Sequence, residues 1–109
     1  MSSIIYTSPN KEINLIFEVL HGSTRVNSTP SITRIITPSL GLLSGYPKDM
    51  AKIDIGLYTL AFTVPIGLLG TFIADISWIN PVTLISNKTY YQIVSRMPPN
   101  MGGGYITSL

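Results

Sequence analysis

Cysteine is absent from the 109 residues, and histidine occurs once, as His21. Without thiols the chain can build neither a disulfide framework nor a zinc–thiolate site. The remaining candidates for proton transfer or ligation are Glu12, Glu18, Asp49, Asp54 and Asp75. Glu12 and Glu18 share a strand parity but would lie about 20 Å apart at about 3.3 Å per residue, too far for a paired-carboxylate site. No run of spaced oxygen donors around Asp49 and Asp54 resembles a calcium loop. His21, beside Gly22 and without a second histidine, reads as a turn residue. The expectation is a protein without an active site, metal or cofactor.

Charge is also scarce. Only 11% of residues are charged and 45% are hydrophobic, against roughly a quarter charged in an ordinary soluble domain. A surface so poor in charge suggests that much of it faces a partner. A net charge of +2 from seven Lys and Arg, with no basic run and no aromatic-basic interleaving, argues against a nucleic-acid partner. Met1 to Tyr6 lacks a basic stretch followed by a long apolar one, so synthesis in a cytosol is expected. Gly102 to Gly104 are not followed by a helix pattern or a Lys-Ser/Thr pair, and so are no phosphate loop. Asn27-Ser28-Thr29 and Asn87-Lys88-Thr89 read as turn residues.

The longest uncharged stretch runs from Ile55 to Ala74, between Asp54 and Asp75. Its length would let a helix cross a bilayer, and a small membrane protein spanning 55–74 is one alternative. Its pattern argues otherwise. Tyr58, Leu60, Phe62 and Val64 fall on one parity; Phe72, Ala74, Ile76 and Trp78 do so after the interruption at Pro65 to Gly70. Period two is the signature of half-buried strands, and Pro65, Gly67 and Gly70 are turn chemistry. The stretch is expected to form a β-hairpin, with Phe17, Tyr58, Phe62, Phe72 and Trp78 buried together, and no membrane partner.

Further strands are expected at Ser3 to Thr7, Ile13 to His21, Ser31 to Thr37, Leu42 to Tyr46, Met50 to Ile53 and Thr89 to Arg96. No helical periodicity of ten residues or more is found. Turns fall at Ser8-Pro9-Asn10, His21-Gly22-Ser23, Thr37-Pro38-Ser39, Gly45-Tyr46-Pro47 and Asn80-Pro81. Seven to eight short strands at this spacing predict an all-β, immunoglobulin-like β-sandwich, with a small barrel as runner-up. The sandwich would occupy residues 1–96. Residues 97–109 form an extended Pro/Gly-rich C-terminal arm in this reading, because Pro98-Pro99 and Gly102 to Gly104 cannot sit in a central strand.

From Asp54-Ile55-Gly56-Leu57-Tyr58 through Phe62, Pro65 and Gly70-Thr71-Phe72 to Trp78, the chain resembles the "D-x-G-x-Y-x-x-x-F … P … G-x-Y-x-x-x-x-x-W" pattern of filamin-type immunoglobulin-like domains. Phe72 stands where tyrosine is commoner. The same pattern is similar to that of small accessory domains in virions of tailed bacteriophages, as is the frame of Ile4 to Pro9, Ile13 to Leu20 and Tyr90 to Val94. The resemblance implies a non-enzymatic virion structural protein made in the host cytoplasm. In this reading it is a capsid decoration (cement) protein that binds the major capsid protein or another virion structural protein and forms a homo-oligomer. A tail or neck accessory protein and a carbohydrate-binding module are the alternatives, the last drawing on Tyr46, Trp78, Tyr90 and Tyr91 as a stacking platform. The candidate interface residues are Ile66, Leu68 and Leu69 in the apolar turn, and Tyr105, Ile106 and Leu109 at the end of the arm.

Overall fold

The computed structural model describes residues 3–97, the side chains from Ile4 onward. Residues 98–109, and with them Tyr105, Ile106 and Leu109, lie outside the described residues. The strands are β1 Ser3–Thr7, β2 Glu12–Glu18, β3 Leu20–His21, β4 Thr24–Arg25, β5 Ser31–Ile36, β6 Lys48–Asp49, β7 Ala51–Asp54, β8 Leu57–Thr63, β9 Gly70–Ile79 and β10 Ser86–Ser95. Among the described residues there is no helix, and so none long and apolar enough to cross a membrane. The fold is all-β.

Two sheets carry the architecture. One has the order β1-β10-β9-β5-β6 and the other β2-β8-β7, with β3 and β4 forming a separate short ribbon. β1 runs parallel to β10, and the remaining pairs are antiparallel. Alternation dictates which side chains meet between them. Leu15 and Val19, with Tyr58, Phe62 and Val64, come from the three-stranded side. Ile32, Ile35, Phe72, Ala74, Ile76, Tyr91 and Ile93 come from the five-stranded side. Phe62 and Phe72 touch edge to face across the layers at 5.8 Å. Each such large side chain contributes about 1.5–3 kcal/mol by leaving water.

Tyr58 carries a hydroxyl into this core and satisfies it fully. It donates to the Ser28 carbonyl at 2.8 Å and accepts from the Ser28 N–H at 2.8 Å, tying the segment between β4 and β5 to the second sheet. Met50, buried, marks the place where the chain leaves β6 in one sheet for β7 in the other.

Four expectations need correction. First, Ile55 to Ala74 holds two strands but no hairpin: β8 pairs with β2 and β7, and β9 with β10 and β5. Both strands are central and already flanked, so Pro65 to Leu69 carries the chain from one layer to the other. Second, Leu42 to Tyr46 is no strand; a single bridge joins Leu42 to Ile36, and Gly45 takes a φ of 96° that breaks an extended run. Third, Ile13 to His21 is interrupted at Val19, which donates to Gly56 O and accepts from Val26 N–H and so turns the chain into β3. Fourth, Phe17 and Trp78 are only partly buried. They pack edge to face on each other at 4.8 Å near the end of the core, whereas Tyr58, Phe62 and Phe72 lie inside it.

Candidate docking surface

The sheet register gathers one set of loops at one end of the molecule. Gly70 at the start of β9 pairs with Ser95 at the end of β10, Ser95 with Thr7 at the end of β1, and Ile73 with Ile36 at the end of β5. The β8–β9 loop, the β5–β6 loop and Met97 therefore share this end. Ile66 is 80% exposed, and Leu68 and Leu69 are exposed beside it. From the neighbouring loop come Leu40, 85% exposed, and Leu42. Residues 37–46 and 64–70 contain no charged side chain.

These loops are held in place by hydrogen bonds. Leu68 N–H reaches Pro65 O at 3.3 Å, and Ser95 Oγ donates to Leu68 O at 2.8 Å. Gly70, at φ 118°, lies against Pro38 so closely that a Cβ would come within 2.9 Å of it. In the β5–β6 loop Thr37 and Gly41 exchange bonds: Thr37 N–H to Gly41 O at 2.9 Å and Gly41 N–H to Thr37 Oγ1 at 3.1 Å. Leu40 sits inside that clasp at φ 68°. A left-handed conformation costs a leucine about 1–2 kcal/mol, so this residue is both strained and in water.

The opposite end presents the same combination, and sequence reasoning did not single it out. The loop between β9 and β10 exposes Val82, Leu84 and Ile85, with Leu84 76% exposed at φ 61°. Asn80 organises it: its Oδ1 accepts Val82 N–H at 2.8 Å and Thr83 N–H at 3.2 Å, and its carbonyl accepts Leu84 N–H at 2.7 Å. His21, which the structure places in β3 just before the turn and not in the turn itself, reaches Asn80 at 3.4 Å and links the β3–β4 ribbon to this loop. The available signal was three apolar residues between Asn80-Pro81 and Ser86-Asn87.

Chemically reactive arrangements are sparse. Among the described residues no group of three or more His, Asp or Glu side chains could hold a metal ion. Arg25 bridges Glu18 at 2.7 Å and Asp54 at 3.7 Å, and Arg34 meets Asp75 at 2.6 Å; such solvent-exposed pairs contribute little. The Arg34–Asp75 pair lines a shallow depression of about 530 Å³ with Thr33, Ser77, Lys88 and Tyr90. Of the four aromatics of the stacking platform, Trp78, Tyr90 and Tyr91 line one open depression together with Phe17 and Leu20, and Tyr46 stands apart from them. Tyr90 faces outward and its neighbour Tyr91 is buried, Trp78 packs on Phe17, and Tyr46 lies under Lys48 at 5.0 Å. Burial pushes the Tyr46 and Tyr91 phenols above their ordinary range, so neither gives up a proton near neutral pH.

Compared with known proteins, the chain matches no protein-family model, no curated protein and no solved structure.

Proposed function

We propose that the chain is a non-enzymatic virion structural protein, an immunoglobulin-like module that decorates a capsid and adds buried area at the joints between major capsid proteins. The strand order supports the immunoglobulin-like part. Setting β2-β8-β7 against β1-β10-β9-β5-β6 corresponds to strands B, E and D facing G, F and C, with β6 as an added edge strand. The observation that carries the docking part is the pair of uncharged loop segments, 37–46 and 64–70, that expose Leu40, Leu42, Ile66, Leu68 and Leu69 at one end. Apolar side chains fixed on hydrogen-bonded loops bind with little further ordering, which is what a docking anchor requires. Met97, the last described residue, is at the same end, and Tyr105, Ile106 and Leu109 remain proposed as further anchors.

The test is cosedimentation of the purified chain with intact capsids, expanded capsids and isolated tails of tailed bacteriophages. Binding to capsids is the expected result. Binding to tails alone would move the protein to the tail or neck, and binding to none of the three would overturn the virion reading.

A further inference from the structure

A surface independent of the loops lies along β2. Among the described residues β2 pairs on one side only, with β8. It is seven residues long, and it pairs with β8 in unbroken register, with no bulge and no proline. The other edges of the two sheets are shorter: β1 has five residues and pairs parallel with β10, β6 has two, and β7 has four, all with exposed side chains, with its register broken between Lys52 and Asp54. A long, regular, unprotected edge invites a further strand.

The hydrogen bonds at its two ends fix which backbone groups are open. Val19 donates to Gly56 O at 2.8 Å, and Val64 donates to Lys11 O at 3.2 Å. In an antiparallel ladder bonding alternates, so the odd-numbered residues of β2 turn their N–H and C=O toward β8. Those of Glu12, Asn14, Ile16 and Glu18 turn toward the open side. The same four residues expose their side chains.

We propose that this edge pairs with its own counterpart in a second copy of the chain, antiparallel and about a two-fold axis at Ile16, making one continuous sheet from the two β2-β8-β7 units. Side-chain chemistry suits a second copy as the occupant and disfavours the register centred on Leu15. An antiparallel self-pair must match even with even residues across the open side. With the axis at Leu15, Glu12 would face Glu18 of the second copy, and like charges directly opposite are destabilising. With the axis at Ile16, Ile16 faces Ile16, and Asn14 faces Glu18, whose carboxylate Arg25 already compensates at 2.7 Å. The sheet face beside the join carries Thr59 and Ala61 opposite Ile16 and Asn14, neither of them charged. The pairing lies along the side of the molecule, so it leaves both ends free and does not depend on the virion reading.

The experiment is sedimentation velocity of the full chain alone, from micromolar to millimolar concentration, with Ile16→Lys as the variant. Ile16 is 45% exposed, so the lysine is tolerated by the monomer but meets a second lysine across the axis. Wild type should dimerise, and the variant should weaken the dimer by about tenfold or more with unchanged circular dichroism. Amide hydrogen exchange on wild type is the second readout: the Asn14, Ile16 and Glu18 amides should slow with rising concentration while Leu15 and Phe17 do not. A wild type that stays monomeric, a dimer indifferent to Ile16→Lys, or exchange at the three amides independent of concentration would each overturn the proposal. No capsid is present, so these outcomes leave attachment to a shell untouched.

Discussion

The two ends of the molecule solve one problem with different parts. Each holds an exposed leucine at positive φ, Leu40 at one end and Leu84 at the other, on a loop without charge. At the first end the loops brace one another across strands, through Gly70 against Pro38 and Ser95 against Leu68. At the second, one side chain, Asn80, ties its own loop together. Apolar exposure on a floppy loop would read as a defect. On two clasped loops, at opposite ends and at the expense of backbone strain, it reads as a pair of prepared surfaces, with the braced one beside Met97 as the primary one.

Substitutions at the glycines separate bracing from mere looping most strongly. Gly56, at the second end, has φ 67°, and a Cβ would meet Arg25 Cβ at 2.8 Å and Val26 N at 2.9 Å. Gly56→Ala should cost about 2–4 kcal/mol in denaturant unfolding. Gly67 in the β8–β9 loop has φ 80° with open space around it, so Gly67→Ala should cost only about 1 kcal/mol. Equal costs would mean that the close approach at Gly56 adds nothing to the strain of a positive φ.

The clasps come next. Asn80→Ala removes the acceptor for two backbone N–H groups and should cost about 1–2 kcal/mol. Thr37→Ala removes the acceptor for Gly41 N–H and should cost less, by thermal or chemical unfolding. Replacing the strained leucines should have the opposite sign. Leu40→Asn and Leu84→Asn each relieve a left-handed leucine and should raise stability by about 0.5–1 kcal/mol, the gain expected when a residue is traded for one that suits the backbone.

The smallest effect is pH-dependent. Burial raises the pKa of Tyr46, in the β5–β6 loop, and of Tyr91, in the core. The folded state therefore holds these protons more tightly than the unfolded chain does. Their contribution is fully present below the unfolded tyrosine value of about 10 and is lost as pH rises through the raised folded values. The melting temperature should hardly change on their account between pH 7 and pH 9 and should fall above about pH 10; a fall beginning well below that would assign the loss to other groups.

Period two made most of the fold legible. Leu15, Val19, Phe62, Phe72 and Ile76 declare their face by alternation alone, and each is buried. What alternation cannot reveal is which strand lies beside which. Two consecutive alternating strands around a Pro/Gly turn look the same whether they pair in one sheet or face each other across a core, so β8 and β9 read as a hairpin. Short pieces were lost for a related reason: Leu42 to Tyr46 has strand composition, but Gly41 just before it bonds back to Thr37 and Gly45 within it takes positive φ. Ile66, Leu68 and Leu69 stood out because they crowd a turn with large apolar groups. Leu40 and Leu84 did not, since nothing in a sequence marks a leucine that will take positive φ. The open side of β2 depends on strand order, which no local pattern encodes.

The most direct test of the docking surface compares its two ends on a capsid. A variant with Leu40, Ile66 and Leu69 changed to serine, and a second with Val82, Leu84 and Ile85 changed to serine, would be titrated against capsids by cosedimentation beside the wild type. All six side chains are exposed, so both variants should melt as the wild type does or slightly higher. The first should lose affinity by about thirtyfold or more, the scale of a lost hot spot, while the second binds as the wild type. Full affinity in the first variant, or a loss confined to the second, would contradict the assignment of the Leu40–Ile66–Leu69 end as the docking surface.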